Sequence, residues 1–265
     1  MAILKANGIE IYHERRGTGS TLLYISGSSG DLRIKPNPLD SSLTNNFDVI
    51  AYDQRGLGQT NKPSNPYSMA DFADDAAGLL DALDIKKTHV IGVSFGGMVA
   101  QELALRHPHK VKSLVLACTS SGGSGGQSYP LHELEALEPR LRVQTHLKLA
   151  DNRRDDTWIA NNNQEWDKLV DSSLSTLKDF TDQASSMLLL EARKMHDTYN
   201  RLSKLKIPVF LAGGMFDSIV PPINMSAISA QLPQSVLHFY NGGHRFYLQD
   251  PKAFLDIRKW LLKLK

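Results

Sequence analysis

THVIGVSFGGMVAQELA, residues 88–104, leads a short apolar run directly into an apolar helix through a serine between two glycines. Ser94 stands two residues after Gly92 and two before Gly96. A serine at such a strand-to-helix turn forms a nucleophile elbow, in which the backbone is so crowded that glycine is needed beside it. The five-residue pattern alone is a weak signal, and the flanking strand and helix make it specific. The stretch therefore predicts a catalytic nucleophile at Ser94.

A serine nucleophile needs a base, and the base needs a partner that orients it. In folds with this elbow, the acid and then the histidine follow the serine along the chain. Asp217 comes directly after the buried strand-like run of residues 207–216, and His244 follows a second such run and a glycine pair. Of the nine histidines, only His244 has this placement. We therefore predict that His244 takes the proton of Ser94 and that Asp217 holds its imidazole ring.

Apolar runs and helical patterns alternate along most of the chain. Residues 21–25, 47–52, 88–93 and 111–117 are typical of strands that are buried on both faces. Asn7-Gly8 predicts a hairpin turn, Ser68 predicts the start of a helix, and a last helix is expected from Pro251. This alternation predicts an α/β fold with a mostly parallel central sheet and helices on both faces.

Residues 122–204 break the alternation, because no buried strand is predicted there and amphipathic helical pieces replace it. We therefore expect a core domain of residues 1–121 and 205–265 and a helical insertion of residues 122–204. Aromatic side chains in and after the insertion could line a pocket, although each alone is more often part of a core: Trp158, Trp166, Phe180 and Phe216.

The chain resembles the α/β-hydrolase family from about residue 7 to its end, most of all the small carboxylesterases and 3-oxoadipate enol-lactonase-like proteins that carry a helical cap. The motifs that carry this resemblance are Tyr52-Asp53-Gln54-Arg55-Gly56-Leu57-Gly58, Gly92-Val93-Ser94-Phe95-Gly96-Gly97, Asp217 and Gly243-His244. The resemblance implies that residues 122–204 are the cap (lid) over the active site. It also implies that Asp53 and Arg55 brace loops beside the site.

The resemblance further implies an oxyanion hole made of two backbone amides. One is the amide of Phe95, and the other belongs to the loop after residues 21–25, where we assign Ser28. This loop departs from the family, because Ser26-Gly27 stands where a histidine-glycine pair is usual. Two possibilities remain open. Either this serine-rich turn contributes only a backbone amide to the oxyanion hole, or a serine hydroxyl of the turn is an additional donor.

Composition limits the partners that the chain is expected to have. The formal net charge of +2 favours neither nucleic acid nor an anionic membrane. No apolar run has membrane-spanning length, and no signal peptide pattern is present, so a cytoplasmic protein is expected. The single cysteine, Cys118, excludes an intrachain disulfide and is expected in the core. No histidine pair has metal-ligand spacing, so neither a metal nor a cofactor is expected. A homo-oligomer is left open.

These observations predict a serine hydrolase that cleaves a carboxylic ester or lactone of a small molecule through an acyl-enzyme on Ser94. The same three side chains serve carbon–carbon bond hydrolysis, thioester hydrolysis and cofactor-free perhydrolysis, and these alternatives stay open. A further alternative from another class is a ligand sensor of the same fold with slow turnover, because fold alone does not determine function.

Overall fold

An eight-stranded sheet forms the centre of the protein in the computed structural model, which describes residues 2–180 and 182–264. In chain order, the strands are β1 (Ala2–Ala6), β2 (Ile9–Arg16), β3 (Ser20–Ile25), β4 (Phe47–Tyr52), β5 (Thr88–Val93), β6 (Val111–Ala117), β7 (Val209–Gly214) and β8 (Val236–Tyr240). Their order across the sheet is β1-β2-β4-β3-β5-β6-β7-β8. β2 pairs antiparallel with β1 and β4, and every other neighbouring pair is parallel. The predicted mostly parallel sheet is confirmed.

Helices cover both faces of this sheet. They are α1 (Met69–Ala82), α2 (Phe95–Arg106), α3 (Pro139–Ala150), α4 (Asp156–Asn161), α5 (Asn163–Phe180), α6 (Gln183–Lys194), α7 (Pro222–Gln231), α8 (Phe246–Gln249) and α9 (Lys252–Leu262). Successive side chains of a strand point to opposite faces. Leu23 of β3 accordingly packs in the core cluster with α1, α2 and α7, whereas Leu22 packs in a second cluster with α9. The α/β fold with helices on both faces is therefore confirmed.

The local signals at the start of the chain and before α1 are also confirmed. Asn7 and Gly8 both have positive φ angles, 47° and 77°, as a tight hairpin turn between β1 and β2 requires. Ser68 caps α1, since its hydroxyl accepts the Asp71 N–H at 3.2 Å and the Asp71 carboxylate accepts the Ser68 N–H at 2.8 Å. Cys118 is buried at the end of β6, as expected of a core thiol.

Among the described residues, the chain between β6 and β7 forms the helices α3 to α6 and several 3-10 turns. These helices have a small core of their own, in which Val143, Trp166 and Val170 are buried and Trp158 packs against them. Trp158 and Trp166 therefore contribute to packing inside the segment, which is the more ordinary of their two expected roles. The division at residues 122 and 204 stays a prediction.

Both ends of this helical segment are attached to α2, the helix that follows Ser94. The Thr198 hydroxyl donates to the Gln101 side-chain carbonyl at 2.6 Å, and the Gln101 amide donates to the Ser120 carbonyl at 3.0 Å. The Thr198 N–H donates to the Ser121 carbonyl at 2.8 Å. These groups are buried, so the hydrogen bonds are protected from water. The segment therefore leaves and rejoins the sheet at neighbouring points beside the candidate nucleophile. Within residues 2–180 and 182–264, every helix is too short or too polar to cross a bilayer.

Candidate active site

Ser94 lies between β5 and α2 in a backbone conformation that side-chain-bearing residues rarely adopt. Its φ and ψ angles are 55° and −120°. Hydrogen bonds hold this conformation, because the Ser94 N–H donates to the Ala117 carbonyl at 2.8 Å and the Gly97 N–H donates to the Ser94 carbonyl at 2.9 Å. A strained residue persists only where its surroundings fix it, and such residues cluster at functional sites. The predicted sharp turn at Ser94 is therefore present.

Gly96 allows the loop after β3 to approach this turn closely. A Cβ atom on Gly96 would lie only 2.1 Å from the Ile25 carbonyl oxygen and 2.4 Å from that of Ser26. A Cβ atom on Gly27 would lie 3.9 Å from Ser94 Oγ. The loop that contains Ser28 thus runs directly beside the candidate nucleophile.

Ser94, His244 and Asp217 form one hydrogen-bonded line, although 150 residues separate the first two along the chain. His244 Nε2 lies 2.9 Å from Ser94 Oγ, and His244 Nδ1 lies 2.7 Å from Asp217 Oδ2. The His244 side chain is 13% exposed and that of Asp217 only 1%, so the line runs from a buried carboxylate to a reachable hydroxyl. Both distances are those of hydrogen bonds. The structure therefore brings all three predicted side chains together.

The turn after β7 fixes the orientation of Asp217. Its Oδ1 atom accepts the backbone N–H groups of Ile219 and Val220 at 2.8 and 2.9 Å. Both bonds use the same oxygen, so Oδ2 is left to face the imidazole of His244. An aspartate side chain that accepts hydrogen bonds from the backbone N–H groups two and three residues ahead stabilises its own turn. This keeps the carboxylate in one rotamer.

The end of α3 supports the histidine, and sequence reasoning missed this contact. The backbone N–H of His244 donates to the Ala150 carbonyl at 2.6 Å, and the backbone N–H of Ser218 donates to the Leu149 carbonyl at 2.9 Å. A Cβ atom on Gly243 would lie 2.1 Å from the Ala150 oxygen, so glycine is required there for α3 to approach. The glycine before His244 was the only sign of this contact in the sequence. The helical segment thus helps to hold the loops of both Asp217 and His244.

The two amides assigned to the oxyanion hole belong to the two segments that meet at Ser94, α2 and the loop after β3. Phe95 is the first residue of α2, where an N–H has no partner within the helix. Ser28 lies inside the turn that the Gly30 N–H closes on the Gly27 carbonyl at 3.0 Å. Neither amide donates a hydrogen bond to another group in the part of the chain that the structure describes. Both are free to bind an oxyanion, and their assignment stays a prediction.

Asp53 braces the loop that carries Ser28. Its Oδ1 atom accepts the Leu32 N–H and its Oδ2 atom accepts the Gln59 N–H, each at 2.8 Å. Arg55 instead forms a buried ion pair with Asp75, with Nε 2.6 Å from Oδ2. Burial of the Asp53 carboxylate outweighs these hydrogen bonds and raises its pKa to about 6.

Asp53 should therefore make stability depend on pH. A carboxyl group whose pKa is higher in the folded state binds more protons there, so its contribution to stability falls as pH rises from about 4 to 6. From the shift of Asp53 from 3.8 to about 6, the unfolding free energy of the wild type should fall by about 2 kcal/mol relative to Asp53→Asn between pH 4 and pH 7. Urea unfolding of both proteins across this range measures the difference. Parallel stability curves would show that folding leaves the pKa of Asp53 unchanged.

Comparison with known proteins places this arrangement in a family. A family model described as the alpha/beta hydrolase fold matches residues 21–251. The chain is 28% identical over 236 residues to a poly(3-hydroxyalkanoate) depolymerase from Ectopseudomonas oleovorans, covering 89% of this chain and 82% of that protein. It is 29% identical over 242 residues to a putative carbamate hydrolase RutD from Variovorax paradoxus, covering 89% of each.

A solved structure shows the same fold at low sequence identity. The enol-lactonase from Burkholderia xenovorans LB400 is 19% identical and superposes with a TM-score of 0.80, covering 99% of both chains. The strand order, the elbow at Ser94 and the family model that spans residues 21–251 lead to the same conclusion. The chain belongs to the alpha/beta hydrolase fold family.

Proposed function

We propose that this protein hydrolyses a carboxylic ester or lactone of a small molecule through an acyl-enzyme on Ser94. The observation that carries the proposal is the hydrogen-bonded line from Asp217 through His244 to Ser94 Oγ. Names of the relatives, a depolymerase and a putative carbamate hydrolase, support hydrolysis and leave the substrate open.

In the proposed reaction, His244 Nε2 removes the proton of Ser94 as its oxygen attacks the carbonyl carbon. Asp217 stabilises the imidazolium that forms and fixes the tautomer. The amides of Phe95 and Ser28 bind the oxyanion of the tetrahedral intermediate. His244 then gives its proton to the leaving alcohol. Water that is activated by the same imidazole hydrolyses the acyl-enzyme and restores Ser94.

We also propose that residues 122–204 act as a cap over this site. Support comes from α3, whose last residues accept hydrogen bonds from the backbone of His244 and Ser218. Ligands of open α/β sheets bind beyond the carboxyl ends of the strands, which is where Ser94, Asp217 and His244 lie. A helical segment attached there encloses the substrate on the side away from the sheet.

A turnover assay tests the function and separates it from thioester hydrolysis and from ligand sensing. Purified protein is given 4-nitrophenyl acetate and butyrate, a five-membered lactone and an acyl thioester at equal concentrations. We expect many turnovers per protein with an ester or the lactone, and at least tenfold lower kcat/KM with the thioester. Preference for the thioester would favour that alternative. A single slow turnover, accompanied by a rise in melting temperature, would indicate a ligand sensor instead of an enzyme.

A further inference from the structure

Arg193 of α6 is a buried cation without a carboxylate partner in the described chain. Its side chain donates from Nη1 to the Tyr129 carbonyl at 2.9 Å and from Nη2 to the Ser128 hydroxyl at 2.7 Å, and both partners are neutral. The residue is only 7% exposed. Burial lowers the pKa of its guanidinium to about 10, so it stays charged at neutral pH. Burying a charge without a counter-ion is costly, and a guanidinium carries five N–H donors. Arg193 therefore has both the charge and the donors to bind an anion.

The guanidinium lines a small cavity whose wall is polar and basic. The cavity has a volume of about 30 Å³, enough for one small polar group. Lys194, His132 and Ser120 also line it, and no aspartate or glutamate is among the described residues of its wall. The cavity shares Ser128 and His132 with a wider crevice of about 640 Å³ that reaches Ser218, the residue after Asp217. The basic cavity therefore adjoins a crevice that extends to the turn after Asp217.

A further contact places the cavity near Ser94. Met98 lines the cavity, and its N–H donates to the Ser94 carbonyl at 3.3 Å, so the cavity begins one helical turn after the candidate nucleophile.

The charges that line the cavity and the crevice do not cancel. Arg193 and Lys194 line the cavity, and Glu133 is the one acidic residue among the described residues that line the crevice. The two cations outnumber this acid, and a net positive charge raises the local concentration of anions, most strongly where the walls have a low dielectric constant.

We infer that the natural substrate carries a carboxylate besides its scissile ester or lactone, and that Arg193 binds this carboxylate in the cavity beside Ser94. The inference rests on the proposed function, because it assigns a substrate class to that site. A guanidinium matches a carboxylate with two parallel N–H donors, which fixes orientation as well as charge. Binding the far end of the substrate in this way holds the scissile carbonyl next to Ser94 Oγ.

A matched pair of esters tests this inference. The mono-4-nitrophenyl ester of glutaric acid is anionic at pH 7, and its methyl 4-nitrophenyl diester has the same chain without the charge. We expect wild-type kcat/KM to be at least tenfold higher for the anionic ester. Arg193→Gln should lower it about 10- to 100-fold for that ester, because a charged hydrogen-bond partner is lost, and less than threefold for the diester. Arg193→Lys should recover part of the preference. Arg140→Gln, on half-buried Arg140 of α3, is the control and should change neither value.

Inhibition of the wild type gives a second measurement that needs no variant at Arg193. Glutarate should inhibit hydrolysis of the neutral diester at a concentration at least tenfold lower than its uncharged diamide, glutaramide. Equal inhibition by the two, no preference for the anionic ester, or an equal loss on both esters in Arg193→Gln would overturn the inference. In each of these cases the diester is still cleaved through Ser94, so the proposed function stands. If the wild type cleaves neither ester faster than Ser94→Ala does, the proposed function fails and the inference fails with it.

Discussion

Ser94→Ala should lower kcat for ester hydrolysis about 10⁴- to 10⁶-fold, which is the usual cost of losing the nucleophile of a triad. The physical reason is that the acyl-enzyme has no atom on which to form. The substitution removes one oxygen at a partly buried position and leaves the backbone hydrogen bonds of the turn in place. The variant should therefore fold normally, with a melting temperature within a few degrees of the wild type. Initial rates with 4-nitrophenyl butyrate and circular dichroism measure both properties.

Ser203→Ala is the matched control, because Ser203 is exposed and its hydroxyl forms no hydrogen bond with the described residues. We expect it to retain full activity. If folded Ser94→Ala retains more than a tenth of the wild-type rate, another residue must be the nucleophile.

Asp217→Asn should lower kcat by up to about 10⁴-fold with little change in structure. The asparagine oxygen can still accept the N–H groups of Ile219 and Val220, so the turn is kept. Its amide nitrogen then faces His244 Nδ1 and donates to it, which places the ring proton on Nε2. That tautomer cannot accept the proton of Ser94, and no carboxylate remains to stabilise the imidazolium.

Asp84→Asn serves as the control for this change, since the Asp84 side chain is 86% exposed and pairs only with Lys86. Single-turnover rates should separate Asp217→Asn from both the wild type and the control. A loss of less than tenfold in Asp217→Asn would mean that His244 keeps its tautomer without Asp217, and the assigned role of the carboxylate would be wrong.

The sequence predicts best where a local pattern has one physical solution. Gly92 and Gly96 around Ser94 allow the strained turn, and few other structures need glycine at both places. Asp217 and His244 were found because the carboxyl ends of parallel strands meet at one edge of a sheet, so residues just after such strands come together. The same reasoning gave the strands from β3 to β6 nearly to the residue.

The sequence predicts much less about the helical segment between β6 and β7. Amphipathic spacing shows that a helix has an apolar face, but not which neighbour covers it. Trp158 and Trp166 pack within the segment itself, whereas α3 contacts the loop of His244 through backbone groups whose only sign in the sequence is Gly243. Arg193 looks like any surface cation of an amphipathic helix, and only tertiary packing shows that it is buried without an acid. Contacts of the helical segment with the rest of the chain are therefore what sequence reasoning could not supply.

The most direct test of the account is the position of a covalent adduct formed by diethyl 4-nitrophenyl phosphate. An activated serine attacks the phosphorus, a bond from its oxygen to phosphorus forms, and 4-nitrophenolate leaves with the bonding electron pair. Tryptic digestion releases residues 88–106, in which Ser94 is the single serine. The account predicts one diethylphosphoryl group per protein, located on Ser94, and activity that is lost in proportion to labelling. A protein that cleaves esters but carries the group on another residue, or remains unlabelled, would contradict it.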